Sequence, residues 1–590
     1  MAETTAIALL LVLLVQPCRA AQVCSDTHNF FANLCGPSTS HLNNFQGHHA
    51  CDPHNKLIKP KNVAELQAVV RSHAKVRAVG AGHSWHKDLF CSGDVNVYLS
   101  ELETITPLYT AHAQGTRLNV SASDYEDFPI RANLTAMTVT VDAGVPQRML
   151  IEYLLSLGDG YIFGSSSGLI DQTIGGAVAT GTHGSSTLYG SISEQVVAME
   201  VVVADGSLRT FTKEGDPHLF RALQVSLGRL GILTKVTLPI IKQPAYDRVL
   251  IEEDTQQTLA YYKGVQDGYN RLAAAAKGGG ATAHSELGAF LTGLDQMTGT
   301  WGPVTKVGLR GMITLNNTAK PVYSHWYQPV AGLPLAGFDE QGRFAANKAL
   351  IEQAETIAPL TDLAVKACQA NGTALSAYEV HQVLGHGRQG WVDYDNQGLL
   401  DMWEVAVPMS VIGDCLEKVV GLLEGEGSRG FFDFIVFRVT RQEAGYLSYG
   451  ADGPAVFMNI NDWAGSEALS LEHPNVNFLG LQQLLRDECQ AKFHWGKAGW
   501  QTVNSCFDGA TAYPTTWCHF GCAVQELDPT GKFAGESDMW RWRAAKGGKE
   551  VPFIDCCSSE GFDYGQCSCL PRADCMRWRV PETSAERSEL

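Results

Sequence analysis

The fold is decided by Val76-Arg77-Ala78-Val79-Gly80-Ala81-Gly82-His83-Ser84-Trp85. Its β-branched run argues for a buried strand, while Gly80 and Gly82 permit positive φ and let a ligand lie against backbone N–H groups. A nest of this kind suits anionic phosphate oxygens. The loop is not the dinucleotide fingerprint. With the first glycine at 80, that pattern needs another at 85, where Trp85 stands, and no helical run follows. Taken alone, Gly-x-Gly after a strand also describes an ordinary turn.

Upstream, Asn62 precedes an apolar period of Val63, Leu66, Val69 and Val70, with Glu65 placed for a capping box, so a helix leads into the strand. Downstream, Met137 to Val141 alternates as a strand, and Asp142-Ala143-Gly144-Val145-Pro146 turns into a helix carrying Met149, Leu150, Tyr153 and Leu154. A second tract of small residues follows, Phe163 to Gly168 and then Thr173-Ile174-Gly175-Gly176-Ala177-Val178-Ala179-Thr180-Gly181-Thr182-His183-Gly184. Ile174, Ala177 and Val178 give it apolar anchors that a flexible linker lacks, and its glycines let backbone approach a flat ring or a pyrophosphate. Residues 194–203 read as a strand, Asp205-Gly206 as a hairpin turn and 208–211 as the return strand. Pro217 opens a short helix, and Ser226 to Ile232 leads into another strand ending near Leu238.

The decapeptide around His83 resembles the first FAD-contacting loop of the vanillyl-alcohol-oxidase superfamily, whose histidine-linked members carry the flavin on this histidine through its 8α-methyl. The resemblance implies covalent FAD on His83, with Ala78, Val79, Gly80, Ala81, Gly82 and Ser84 as its neighbours. The second tract resembles the flavin segment of the sugar-oxidising branch, Gly-Gly-Ala-x-Ala-Thr-Gly-Thr-His-Gly. Thr173, Gly176, Thr180, Gly181, Thr182 and His183 match its contacting positions, Gly168 falls where relatives can carry a serine, and Ile232 matches a backbone contact of the closing segment.

From about residue 241 the pattern changes to mixed helices, around 259–272 and 347–360, and strands such as 402–407 and 432–440. His494-Trp495-Gly496-Lys497 reads either as the cap of an amphipathic helix or as chemistry. It resembles the His-Trp-x-Lys signature of the sugar-1,4-lactone oxidase and alditol oxidase branch, where the lysine faces substrate hydroxyls. Period two puts Val436 and Arg438 on one face of a strand. The family strand typically reads Glu-x-Arg. Arg438 matches it, whereas the carboxylate position holds Val436, which can neither accept a proton nor hold a hydroxyl. Glu404 in Trp403-Glu404-Val405-Ala406-Val407-Pro408 is a candidate substitute, although a strand glutamate is usually solvated or paired. For a lactone, whose oxidised carbon adjoins a carbonyl, cations such as Arg438 and Lys497 can stabilise a developing alkoxide.

At 590 residues, with 45% hydrophobic residues and a formal charge of −18, the chain is a multidomain globular protein for which nucleic acid or an anionic membrane is a poor main partner. The apolar run from Ala6 to Val15 is too short to span a bilayer and precedes Cys18-Arg19-Ala20, so residues 1–20 read as a signal peptide, with an uncleaved anchor as the alternative. Sixteen cysteines agree with an oxidising secretory compartment, and removal of Cys18 leaves an odd number. Sequons at Asn119, Asn133, Asn316 and Asn371 fit the same route, to the outside or the endoplasmic reticulum lumen.

The expected organisation is α+β. A cysteine-bearing arm (21–50) precedes a two-lobed FAD-binding domain of the PCMH type (51–240), then an α+β substrate or cap domain (241–505) and a disulfide-stapled extension (506–590), with a zinc module as the rival for the last. No metal is expected in the active site. The implied activity is L-gulonolactone-oxidase-like: FAD-dependent oxidation of an L-gulono-, L-galactono- or D-arabinono-1,4-lactone towards ascorbate or an analogue, with O2 as acceptor giving hydrogen peroxide. An alditol or other carbohydrate oxidase, and a flavin-fold glycoprotein that has lost catalysis, are the alternatives.

Overall fold

The computed structural model describes residues 51–99, 128–168, 172–319, 372–376, 400–424, 434–463, 477–497, 507–535 and 539–572, apart from 53 and 159. The expected signal peptide and N-terminal arm, the sequons at Asn119 and Asn371, the helix over 347–360, and Cys24, Cys35, Cys368, Cys506 and Cys575 lie outside them.

Three sheets organise the chain up to residue 497. In the first, strand Val76–Val79 pairs in parallel with Val95–Tyr98, which pairs in parallel with Lys56–Ile58. Helix Val63–Ser72 returns the chain between them, burying Leu66 and Val70. Its Asn62 cap accepts the Glu65 N–H at 3.0 Å, but the Glu65 carboxylate accepts from Lys61 N–H at 2.9 Å, so the expected reciprocal cap is displaced by one residue. The second sheet is antiparallel, in the order Ile130–Asn133, Thr138–Asp142, Ile232–Pro239, Ala198–Val202, Leu208–Thr212. Its fourth strand begins four residues later than the apolar pattern predicts. Glu194 and Gln195 spend their side chains elsewhere, on the Ala444 N–H and on Ser165. Helix Pro217–Gln224 starts as expected, with Asp216 accepting the Leu219 N–H at 3.0 Å.

The third sheet has eight strands and belongs to the second half of the chain. Its central run is Thr298–Trp301, Ile435–Thr440, Ala455–Trp463 and Leu400–Pro408, all antiparallel, with the two-residue strand Lys492–Phe493 at one edge. Helix Thr255–Lys277 carries a complete capping box from Asp254 and Gln257 and packs against helix Ile412–Leu423. A disulfide, Cys415–Cys489, ties that second helix to the turn after helix Phe478–Asp487. That turn corrects one reading: the helix stops seven residues before His494, which follows the short strand and is not a helix cap.

The cysteine-rich extension is stapled by disulfides Cys518–Cys569, Cys522–Cys557 and Cys556–Cys567, so these six cysteines do not form a zinc module. Its helix Trp517–Leu527 packs on helix Pro217–Gln224. The loop after that helix reaches the first sheet. Val76 N–H donates to the Lys532 carbonyl at 3.0 Å, Lys75 Nζ to Gly531 O at 2.6 Å and Arg77 Nη1 to Phe533 O at 2.6 Å. The edge strand that carries the glycine loop thus finds its missing partner at the other end of the chain, which leaves fewer of its backbone groups unpaired. No helix among the described residues is long and apolar enough to cross a membrane.

Asp528 anchors this loop. Buried at 1% exposure, it accepts from Arg229 Nη1 at 2.6 Å, Lys532 N–H at 2.6 Å and Phe533 N–H at 2.9 Å. Removing one partner of such a pair strands the other charge, so Asp528→Ala is expected to cost about 3–5 kcal/mol. Chemical denaturation of parent and variant measures the difference.

Candidate active site

A single cleft of about 1610 Å³, including the space at its mouth, runs between the first two sheets and one face of the third. Of the residues expected at a cofactor, Ala78, Val79, Gly80, Ala81, Gly82, His83, Ser84, Gly168, Thr173, Gly176, Thr180, Thr182 and His183 line it. Gly181 does not. At φ +69° it turns beside the ring of Tyr449. Nor does Ile232, whose side chain is buried in the core while its neighbours Gly231 and Leu233 reach the cleft. The glycine tract folds as helix Ile174–Ala179, capped by Thr173, whose hydroxyl accepts the Gly176 N–H at 3.3 Å.

The third sheet supplies Glu404, Val436, Arg438 and Asn459 to the same cleft, and the turn after its edge strand supplies His494, Gly496 and Lys497. The candidate catalytic residues Arg438, Lys497 and Glu404 therefore meet the glycine loops in one cavity. The halves touch directly. Trp85 N–H donates to the Gly496 carbonyl at 3.1 Å, Ser186 N–H to Val439 O at 2.9 Å, and a Cβ on Gly168 would lie 3.7 Å from Arg438 Nη2.

The polar floor of the cleft is a charge cluster. Glu404, buried, lies with Oε1 3.5 Å from His183 Nε2 and 3.6 Å from Arg438 Nη1. The Nδ1 of His183 is 2.9 Å from Gly184 O, an acceptor only, so Nδ1 carries a hydrogen. Nε2 then faces the Glu404 carboxylate. Phe457 stacks on the imidazole at 3.5 Å between centroids and holds the ring in place. Burial works to raise the Glu404 carboxyl, but the neighbouring His183 and the Lys497 charge outweigh it and hold it far below the usual carboxylate range. The His494 ring accepts the Gly496 N–H on Nδ1 at 3.1 Å, and burial, opposed by Glu404, keeps its pKa well below that of a free histidine. Burial also pushes Lys497 down to about 8, with Glu404 raising it and Arg438 lowering it. His183, Glu404 and His494 place three ligand-type atoms within 4.8 Å of one another, with Arg438 beside the carboxylate.

The residue that sequence reasoning missed is Tyr449. Its hydroxyl donates to Thr180 O at 2.8 Å and accepts the Trp495 N–H at 2.9 Å, joining the glycine tract to the lysine turn. Asn459 was missed as well. Nothing local in Gly445-Tyr446-Leu447-Ser448-Tyr449-Gly450 marks the ring as a bridge.

Comparison with known families places this geometry. Residues 55–212 match an FAD binding domain, and residues 400–541 match the D-arabinono-1,4-lactone oxidase family. Both halves of the chain are thus similar to FAD-linked lactone oxidases. The D-arabinono-1,4-lactone oxidase of Yarrowia lipolytica is 33% identical over 193 residues, 32% of each protein, so the match spans about a third of that relative. The L-gulono-1,4-lactone dehydrogenase of Mycobacterium tuberculosis is 25% identical over 502 residues, covering 84% of this chain and 97% of the relative. In fold alone, the chain resembles cholesterol oxidase from B. sterolicum, with a TM-score of 0.56 at 15% identity over 88% of this chain and 98% of that one.

The cleft fits FAD, the ligand of the domain that residues 55–212 match. The walls are backbone and small side chains: a Cβ on Gly80 would fall 2.3 Å from Thr173 Oγ1, and Gly82 holds φ +74°. Both glycines keep the N–H groups of the loop open to an anionic ligand. Tyr449→Phe removes the hydroxyl that spans the two halves and leaves two buried backbone groups unpaired, at about 1–3 kcal/mol each. The expected outcome is a protein that releases FAD at lower denaturant than the parent, followed by flavin fluorescence.

Proposed function

We propose that the protein oxidises an aldono-1,4-lactone, of the L-gulono, L-galactono or D-arabinono type, at the carbinol next to the carbonyl. The observation that carries this reading is the convergence of Arg438 and Lys497 with the His83 loop on one cleft. FAD, when bound, takes the hydride. The chain's own part is to hold the substrate oxygen. Arg438 and Lys497 donate to it and stabilise the alkoxide left when its hydroxyl proton passes to solvent at the cleft mouth, the charge that the departing hydride then carries away, in a cavity where such charges are weakly screened. Val436 gives this end of the site an apolar wall in place of a base, which suits a substrate whose adjacent carbonyl already acidifies the carbinol O–H better than it suits a simple alditol.

His83 is proposed to carry the flavin covalently. Burial, reinforced by the Lys497 charge, pushes its pKa down to about 3, so the imidazole is neutral and nucleophilic at any working pH. Both ring nitrogens are shielded from solvent within the cleft. O2 is the proposed acceptor, with hydrogen peroxide as product. The five disulfides among the described residues support a secretory location, since thiols stay reduced in the cytosol. Of the two described sequons, Asn133 is the more exposed, whereas the Asn316 amide is engaged with the Asp247 carboxylate at 3.1 Å.

Acid-precipitated holoenzyme is expected to stay yellow and His83→Ala to lose the colour to the supernatant. Anaerobic addition of gulono-, galactono- or arabinonolactone should bleach the flavin of the parent, and air should restore it with release of peroxide. A flavin that no lactone bleaches rules the reading out. The pH dependence has a fixed sign. The folded-state pKa of Lys497 is lowered, its ammonium form does the work, and that form is lost as pH rises through about 8. The rate of bleaching should therefore fall above about pH 8.

A further inference from the structure

The turn Ser226-Leu227-Gly228-Arg229 brings Ser226, Leu227 and Gly228 to the cleft wall. It is closed by the Arg229 N–H, which donates to Ser226 O at 2.9 Å, and its central residues both have positive φ, Leu227 at +52° and Gly228 at +67°. Glycine tolerates that backbone, but a leucine keeps it only where its surroundings impose it. Here the Leu227 backbone is held from both sides. Its N–H donates to Ala179 O at 2.9 Å, and its carbonyl accepts from Arg77 Nη2 at 2.7 Å. The other terminal nitrogen of Arg77 donates to Phe533 O at 2.6 Å, and a Cβ on Gly228 would lie 4.0 Å from Arg77 Cζ. These bonds close on themselves. Phe533 N–H donates to Asp528 Oδ2 at 2.9 Å, and the same oxygen accepts from Arg229 Nη1 at 2.6 Å, so a ring runs from the turn through Arg77, Phe533, Asp528 and Arg229 back to the turn. Arg77, Arg229, Asp528 and Phe533 are all buried, and none of them lines the cleft.

We infer that Arg77 is a positioning residue for FAD: its bonds to Leu227 O and Phe533 O hold the 226–229 turn in its positive-φ form against the cleft, so that cofactor affinity depends on the loop at 528–533. This role rests on the fit of the cleft to FAD and is independent of the substrate. Without the guanidinium, Leu227 is free to return to negative φ, and the wall it forms with Ser226 and Gly228 shifts. A cofactor that binds only the held form then binds more weakly, in proportion to the fraction of chains still holding it. Linkage makes the effect mutual: FAD, by favouring the held turn, tightens the docking of residues 528–533, which it does not touch. A lysine at 77 would keep the charge but lose the rigid fork that reaches two carbonyls from distant parts of the chain.

The test uses the full chain with His83→Ala, on which FAD exchanges freely, and follows FAD binding by the quenching of flavin fluorescence. In that background Arg77→Met and Arg77→Lys should each raise the Kd for FAD about tenfold, an ordinary size for coupling between separate sites. Adding Leu227→Asn to Arg77→Met should recover most of the loss, because Asn-Gly adopts a turn with positive φ at both central residues unaided. A role confined to stability would leave the double variant binding no more tightly than Arg77→Met. With His83 intact, hydrogen exchange at residues 528–533 should be slower in flavin-loaded than in flavin-free protein, and Arg77→Met should abolish the difference. The exchange comparison on the parent decides the matter if the Arg77 variants fail to fold or the alanine background holds no FAD. An unchanged Kd in both Arg77 variants, a double variant that recovers nothing, or exchange at 528–533 that FAD does not slow overturns the inference.

Discussion

The site depends on one phenol. Tyr449 donates to a carbonyl of the glycine tract and accepts an N–H from the lysine turn, so a single oxygen sets the distance between the half that cradles FAD and the half that presents Lys497. Neither partner can drift without unpairing a buried backbone group, and that cost is what keeps the cleft at a fixed width. The Trp85 to Gly496 hydrogen bond and the docking of Ser186 on the strand carrying Arg438 work in the same direction. Catalysis of the proposed kind needs this, since a hydride donor misplaced by an ångström loses most of its rate.

Around that joint the charges are arranged economically. One carboxylate, Glu404, faces an imidazole, a guanidinium and an ammonium. In a low-dielectric cavity the guanidinium and the ammonium would each be costly alone. Stacking of His183 on Phe457 and of His494 on Tyr449 keeps the rings from rotating out of the arrangement. The cleft therefore combines a nearly neutral, backbone-lined end with a charged end, as a long cofactor and a small polar substrate require.

Much of this was legible in the sequence because it is local. Gly80, Gly82 and His83 are adjacent, and their strand-to-loop pattern can be read without knowing what lies opposite. The same holds for Arg438 and Val436, two residues apart on a strand. Glu404 was ambiguous, since a strand glutamate has meaning only through the register of its neighbours, and Asn459 and Tyr449 were invisible for that reason. The reading of a helix running up to His494 failed because helix Phe478–Asp487 ends early and the chain re-enters the sheet as strand Lys492–Phe493, an edge pairing that no periodicity over two residues can announce. The loop at 528–533 lay beyond prediction too. Its contacts with residues 75–77 cross 456 positions of chain.

That last separation bears on the protein's biosynthesis. A strand whose outer edge waits for a partner made hundreds of residues later emerges from the ribosome with an exposed flank, and pairings of such high contact order form slowly. The cradle for the cofactor is then completed only after residues 528–533 have been made and have docked. Assembly of a loaded enzyme is held back until a segment hundreds of residues downstream has emerged.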